Sequence, residues 1–259
     1  MTATASPRPR FGLSSFVLHI AAMLFMLCDH LWATFFFDAS PMAYIGRLAF
    51  PLFAFMLAEG FHHTSDVKKY LKRMLIFAVI SEIPFNLMIG GSFFYPLHQN
   101  VLITFLLSIL AMMMLQKMRD RPLLHRCIFY PLIVLSAVLL GFLTFCDYYG
   151  YGVLTVLLFY FTRTDRDTPL PKRLMMMLIQ LIVMVIINCE LLGGLILPFE
   201  LFGHSIEITT QSAALLTLPM IWLYNGAQGP YNKAIRYLYY GFYPAHLLVI
   251  GGVALILSL

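Results

Sequence analysis

An acidic residue stands directly before a histidine, Asp29-His30, inside an apolar stretch that runs from about residue 14 to residue 37. On membrane-insertion scales, a charged carboxylate at the centre of such a stretch costs roughly 2.5–3.5 kcal/mol. Leucine would pack there without that cost, so side-chain packing does not explain the acid. Because a carboxylate and an imidazole can both take up and release a proton, the pair predicts a chemical site inside a membrane.

The composition indicates the elements that must position this pair. The 259 residues are 61% hydrophobic and 11% charged, and their mean hydropathy is +0.83. Since backbone polar groups inside a bilayer must pair within their own segment, apolar runs of about 20 residues predict helices. We therefore expect one all-α integral-membrane domain over residues 1–259, with about nine spans (8–10). The predicted spans are 14–36, 42–61, 72–92, 100–116, 127–146, 149–162, 174–190, 208–224 and 237–258.

Lysine and arginine occur in every second connection between these spans, and the other connections contain neither. The positive-inside rule then predicts a cytoplasmic N-terminus. Topology also explains the net charge of +5, so nucleic-acid binding is not expected. A tenth span would move Lys233 and Arg236 to the outside, which favours a re-entrant or interfacial stretch over 191–207. Arg8 and Arg10 precede the first span, and the basic residues in or next to the connections are Lys68, Lys69, Lys72, Arg73, Lys117, Arg119, Arg121, Arg126, Arg163, Arg166, Lys172, Arg173, Lys233 and Arg236.

The predicted outer half of the membrane collects polar side chains. Arg47 lies about five residues into the second span and His30 about seven residues from the end of the first, so both lie at a similar depth. The other members are Asp29, His98, Asn100 and Asp147, with Glu82 near mid-depth. These residues also have structural interpretations. Asp29 and Arg47 could form an ion pair between helices, and His30 could be an interhelical hydrogen-bond donor. Capping or rim positions would explain His98, Asn100 and Asp147.

Further candidates lie towards the predicted inner side. Glu59 stands near the inner end of the second span, and Tyr243 and His246 flank Pro244 in the last span, where they could line a cavity. Lys69, Lys72 and Arg73, together with Lys68, form a basic cluster at the start of the third span. The cluster either marks topology or binds the phosphates of an anionic co-substrate. The four cysteines show no metal-ligand spacing, so no metal site is predicted.

Several segments resemble the TraX family, whose named member acetylates the N-terminus of a conjugative pilin. They are Asp29-His30, GRLAFPLFAFMLAEGFHHTSDVKKYLKR at 46–73, SEIPFNL at 81–87, QNVLITF at 99–105, DYYGYG at 147–152, YNG at 224–226 and FYPAHLL at 242–248. The family looks distantly related to the acyltransferase-3 and heparan-glucosaminide acetyltransferase groups. That relationship implies a catalytic histidine in an early span and acetyl-CoA taken from the cytoplasm.

By this resemblance His30 is the catalytic residue, Asp29 its partner and Arg47 a polar residue of the same site, in a bacterial inner-membrane acetyltransferase. Lys69, Lys72 and Arg73 would hold acetyl-CoA, the expected co-substrate. The acceptor would be an extracytoplasmic amine or hydroxyl on a peptide, glycan or lipid. Arg47, Asn100 or a tyrosine of 148–151 would stabilise the developing oxyanion. The alternatives are a proton-coupled small-molecule transporter and a membrane scaffold; the oligomeric state stays open.

Overall fold

The computed structural model describes residues 11–165, 167–197 and 199–257. Over this part of the chain it is a bundle of helices with a single short hairpin, which confirms the all-α membrane fold. The helices are α1 Ser15–Phe35, α2 Ser40–Gly46, α3 Ala49–His63, α4 Val67–Gly90, α5 Val101–Met118, α6 Leu123–Leu143, α7 Tyr149–Phe161, α8 Leu170–Val185, α9 Thr217–Trp222 and α10 Lys233–Ile256. A π-helical segment, Ile186–Leu191, extends α8, and a 3-10 segment, Thr210–Leu216, precedes α9.

Seven described helical stretches are long and apolar enough to cross a membrane, counting α2 with α3 and α8 with its π-helical extension. Two further apolar stretches are shorter. Helix α7 has 13 residues, and the stretch at 210–222 divides into a 3-10 segment and six α-helical residues. Both coincide with predicted spans, 149–162 and 208–224, but fall short of the length that spans a bilayer. The total of nine spans therefore stays a prediction.

The stretch at 191–207, expected to be re-entrant or interfacial, contains the hairpin. Strand β1, Phe199–Leu201, pairs antiparallel with β2, His204–Ile206. The hydroxyl of Tyr44 in α2 lies 2.7 Å from the carbonyl oxygen of Leu197 and 2.6 Å from that of Ile208, so α2 holds both sides of the hairpin. Strands this short carry little hydropathy signal, which is why the sequence indicated no strand there.

The connectivity gives the bundle two distinct ends. Helices α1, α4, α6, α8 and α10 begin at one end, which we call the basic end because the described lysines and the described arginines other than Arg47 lie there. At the other end, the opposite end, α5 and α7 begin and α1 and α4 finish. Arg8, Arg10 and Arg166 lie outside the described residues. That the basic end faces the cytoplasm is still an expectation from the positive-inside rule.

Candidate functional site

Asp29 on α1 forms an ion pair with Arg47, which stands at the break between α2 and α3. The distance from Arg47 Nη2 to Asp29 Oδ1 is 3.0 Å, and the two side chains are 22% and 18% exposed. Gly46 makes this approach possible, because a Cβ added there would lie 2.7 Å from the Cα of Asp29. The ion pair agrees with the structural interpretation of Asp29 and leaves its chemical role a prediction.

His30 does not bond to its neighbour Asp29 but to His246 on α10. The Nδ1 of His30 lies 2.7 Å from the Nε2 of His246, across 216 positions of sequence. The Nδ1 of His246 lies 2.8 Å from the carbonyl oxygen of Phe242, one turn earlier in α10. Sequence reasoning named both histidines but did not pair them, because no local signal relates α1 to α10.

The hydrogen bonds assign the tautomers of this histidine pair. The carbonyl oxygen of Phe242 only accepts, so Nδ1 of His246 carries a proton and donates to it. In the neutral ring, Nε2 of His246 then accepts, and Nδ1 of His30 donates to it. The lone pair of His30 is therefore on Nε2. An imidazole held in one tautomer with a free basic nitrogen is suited to take a proton from a substrate.

Glu82 and Asn100 form a second polar contact in the opposite half. Asn100 is fully buried at the N-cap of α5, where its side-chain oxygen accepts from the amide of Leu102 at 3.0 Å. Its side-chain nitrogen donates to the carboxylate of Glu82 and, at 3.0 Å, to the carbonyl oxygen of Ala78. Asn100 is thus a capping residue that also joins α5 to α4, and it holds the Glu82 carboxylate in place.

His98 and Asp147 meet between the loops of the opposite end. The Nε2 of His98 lies 3.4 Å from Oδ1 of Asp147, and this contact raises the pKa of His98 above its usual value. The carbonyl oxygen of Asp147 accepts from Thr104 at 2.6 Å, which anchors the turn to α5. Phe145, Tyr148 and Tyr149 in the same turn have positive φ angles of 51°, 60° and 48°. Strained backbone of this kind concentrates at functional sites.

Tyr148 joins this turn to the ion pair. Its ring stacks on Phe50 with centroids 3.9 Å apart, and its hydroxyl interacts with the guanidinium of Arg47. The sequence indicated a tyrosine somewhere in 148–151; the structure brings Tyr148 to Arg47. The opposite half therefore gathers most of the predicted residues into one polar region, and of its pairs sequence reasoning had named only the one between Asp29 and Arg47.

Two of the cavities between the described helices bear on the site. The central cavity, about 590 Å³, is bounded by α1, α3, α4, α5 and α10, and runs from Gln228 and Tyr231 at the basic end to Val101 and Tyr243. The lateral cavity, about 620 Å³, is bounded by α3, α7, α8 and α9. Among the described residues that line these two cavities, neither His30 nor His246 appears. Phe242 and Tyr243 line the central cavity, and their rings lie 4.7 and 5.7 Å from that of His246.

The predicted co-substrate residues are not equivalent. Arg73 lines the central cavity, with its guanidinium 5.9 Å from the Tyr70 ring and 6.0 Å from the Tyr240 ring. Lys69 pairs with Asp66 at 3.2 Å, and among the described lining residues of both cavities neither Lys69 nor Lys72 occurs. The structure therefore separates Arg73 from the rest of the basic cluster.

Glu59 lines both cavities at the basic end, as expected of a cavity residue. Its carboxylate accepts from Arg163 Nε at 2.9 Å and lies 3.3 Å from His63. Sequence reasoning treated Arg163 as a topology signal, because nothing in its neighbourhood indicates a partner 104 positions away.

Comparison with known proteins identifies the family. The TraX protein family profile matches residues 14–254. This chain belongs to the TraX family. It is 30% identical over 251 residues to the probable fimbrial assembly protein FimC, serogroup H1, of Dichelobacter nodosus, covering 92% of this chain and 94% of that protein. No solved structure matches the chain.

Proposed function

We propose that this TraX-family protein is a membrane-embedded acetyltransferase that moves an acetyl group from cytoplasmic acetyl-CoA to an extracytoplasmic amine or hydroxyl. Family membership and the fimbrial-assembly relative support a role in pilin processing or assembly, which makes a pilin-like peptide the first acceptor to test. The observation that carries the chemical part is the His30–His246 pair, which leaves a lone pair on Nε2 of His30.

Nε2 of His30 acts as the general base. It takes the proton of the acceptor N–H or O–H as the acceptor nitrogen or oxygen attacks the acetyl carbon. The proton then passes to the leaving sulfur. The carbon–sulfur bond breaks as the carbon–nitrogen or carbon–oxygen bond forms. His246 holds the ring of His30 in one tautomer and, by accepting from Nδ1–H, stabilises the positive charge that develops. General base catalysis of this kind contributes about 10²–10⁴-fold to rate.

Arg47 is the proposed donor to the developing oxyanion. Its Nε is buried and has no hydrogen-bond partner in the described part of the chain, while Nη2 pairs with Asp29. A cation held by a carboxylate on one side, with an unused donor on the other, is preorganised to stabilise negative charge. Tyr148 supports the same guanidinium from the turn.

The central cavity fits the acyl donor. Its volume lies in the range of small-molecule sites, and Arg73, which has no ion-pair partner among the described residues, stands in its wall. Along α1 its lining extends from Ser15 to Met26, roughly 16 Å. His30 follows Met26 by about one helical turn. The donor supplies a thioester-activated acetyl group; Arg73 would hold a phosphate, and the cavity would admit the thin pantetheine arm.

Phe242 and Tyr243 must move for the cavity to reach His30. They belong to α10 next to Pro244, which has no amide hydrogen to bond the carbonyl of Tyr240. This part of α10 is therefore less constrained than an uninterrupted helix, and the proposal requires the rings of Phe242 and Tyr243 to rotate away from the histidine pair.

The test is acetyl transfer by purified protein in lipid nanodiscs. Acetyl-CoA labelled in its acetyl group is supplied with a peptide bearing a free N-terminal amine and, separately, with a hydroxyl acceptor. We expect labelled acceptor and released CoA, a loss of at least 100-fold in rate for His30→Gln, and about tenfold for His246→Gln. The control, His125→Gln, changes an exposed histidine at the start of α6 and should keep full activity.

Full activity of His30→Gln would rule out the proposed base. The absence of both labelled acceptor and CoA release from the wild-type protein would reject acetyl transfer. In that case, proton uptake by proteoliposomes under a pH gradient would identify the transporter alternative.

A further inference from the structure

The lateral cavity adjoins the central cavity at the basic end. Glu59, His63, Tyr224 and Gly226 line both of them. A ligand with two parts can therefore place one part in each cavity and cross at these residues. No step of the proposed acetyl transfer uses the lateral cavity.

Trp222 lines the lateral cavity and is held by a chain of hydrogen bonds. Its Nε1 donates to Gln180 Oε1 at 2.8 Å, and Gln180 Nε2 donates to Thr162 Oγ1 at 2.9 Å. Gln180 and Thr162 are buried, so this chain of hydrogen bonds sets the orientation of the indole, which is itself half-buried. An aromatic ring held in place beside a cavity is a stacking surface for a planar base.

Arg173 stands next to Trp222. Its Nη2 donates to the carbonyl oxygen of Trp222 at 3.4 Å, and it has no ion-pair partner among the described residues. Arg163 in the same cavity differs, because it is neutralised by Glu59 at 2.9 Å and by Asp165 at 2.7 Å. Guanidinium groups bind phosphate through paired donors, so Arg173 is the group in the wall of this cavity that is available to an anion.

We propose that the lateral cavity binds the adenine nucleotide portion of the acyl donor, with the base on Trp222 and a phosphate at Arg173. The arm of the donor then crosses at Glu59 and Tyr224 into the central cavity. The inference rests on the proposed function for the identity of the donor. It assigns phosphate binding to Arg173 and Arg73 in place of Lys69 and Lys72.

Binding of adenosine 3′,5′-bisphosphate tests this site without acetyl transfer. The chain has two tryptophans, and Trp32 lies at the opposite end, so Trp32→Phe leaves Trp222 as the fluorescent reporter. We expect the probe to quench Trp222 in Trp32→Phe protein, and acetyl-CoA to compete with it. Arg173→Gln should weaken binding about tenfold, as for one lost charge-assisted contact. Lys69→Gln, the matched control at an exposed lysine, should stay within twofold.

The outcomes separate the two proposals. Acetyl transfer without any response of Trp222 to the probe would overturn the nucleotide site and leave the acetyltransferase intact. A tenfold loss for Lys69→Gln with none for Arg173→Gln would also overturn it. Probe binding that depends on Arg173, in a protein that transfers no acetyl group, would support the nucleotide site and reject the acetyltransferase. Arg173→Lys, which keeps the charge, should recover part of the affinity and excludes loss of folding as the cause.

Discussion

The opposite half and the basic end both hold charged groups between helices, but they hold them differently. In the opposite half, Asp29 pairs with Arg47 and Asn100 donates to Glu82, and none of these four residues is among the described lining residues of the two cavities. At the basic end, Glu59 and Arg163 pair beside two cavities, and Arg73 and Arg173 have no ion-pair partner among the described residues. In the proposed function, the first arrangement would hold the geometry of the reacting groups, whereas the second would leave cations available to bind the acyl donor.

Removing the arginine of each ion pair should give the largest difference between the two regions. Arg47→Met leaves the carboxylate of Asp29 buried without a counter-charge, which should cost about 3–5 kcal/mol of unfolding free energy. Arg163→Met should cost less, about 1–2 kcal/mol, because Glu59, although no more exposed than Asp29, borders both cavities and keeps its contact with His63. Unfolding by SDS of protein reconstituted in bicelles measures both. Adding Asp29→Asn to Arg47→Met should restore most of the lost unfolding free energy. Equal losses for Arg47→Met and Arg163→Met would contradict the difference between the two regions.

A smaller loss is expected where α2 packs on α1. Gly46→Ala would force a Cβ to within 2.7 Å of the Cα of Asp29 and should destabilise the protein by about 1–3 kcal/mol. Gly252→Ala on α10 is the matched control, since no heavy atom lies within 4 Å of a Cβ there. Alanine favours a helix over glycine, so the control should be neutral or slightly stabilising. A neutral Gly46→Ala in the same unfolding assay would show that the contact is loose.

Substitutions at the basic end should change the KM for acetyl-CoA more than they change the stability of the protein. Arg73→Gln should raise the KM for acetyl-CoA about tenfold with a small change in kcat, because it removes one charge-assisted contact from the cavity wall. Lys72→Gln should leave KM within twofold, since Lys72 is not among the described lining residues of either cavity. Steady-state kinetics of CoA release would test this. Equal effects of the two variants would mean that Arg73 only marks the membrane topology.

The smallest effect is expected from His98 at the surface of the opposite end. Its pKa is raised by the contact with Asp147, so the stabilisation is complete below the usual histidine pKa, near 6.5, and is lost as pH rises through the raised value. Both groups are about one-third exposed, and the contribution should be about 1 kcal/mol or less. His98→Gln should remove this pH dependence from the unfolding free energy. A variant that keeps the wild-type pH profile would assign the dependence to another group.

Hydropathy and charge predicted much of the architecture. The predicted first span, 14–36, matches α1 within a residue at each end, and the later long spans match within a few residues. The stretch at 208–224 was predicted less well, because its composition is apolar but its residues divide between a 3-10 segment and a short helix. An apolar composition indicates that a segment lies in the protein interior or in a membrane, but it does not indicate whether the helix there is continuous.

The site was predicted as a set of residues but not as a set of contacts. Asp29, His30, Arg47 and His246 were each conspicuous because a polar group inside an apolar span is costly. Neighbouring residues on a helix point in different directions, so Asp29 does not face His30, and whether it meets Arg47 depends on how α1 is rotated against α2 and α3. The prediction that Lys69, Lys72 and Arg73 bind phosphate rested on their charge, which does not indicate which of these side chains borders a cavity.

The sequence by itself determined that the chain is a helical membrane protein with one basic end, and which residues are too polar for their surroundings. These properties depend on stretches of about 20 neighbouring residues and are therefore readable from order and composition. Tertiary structure decided that His30 pairs with His246, that Arg73 borders a cavity, and that Trp222 and Arg173 stand together. Those contacts arise from the rotation and packing of helices far apart in the chain, which no local pattern encodes.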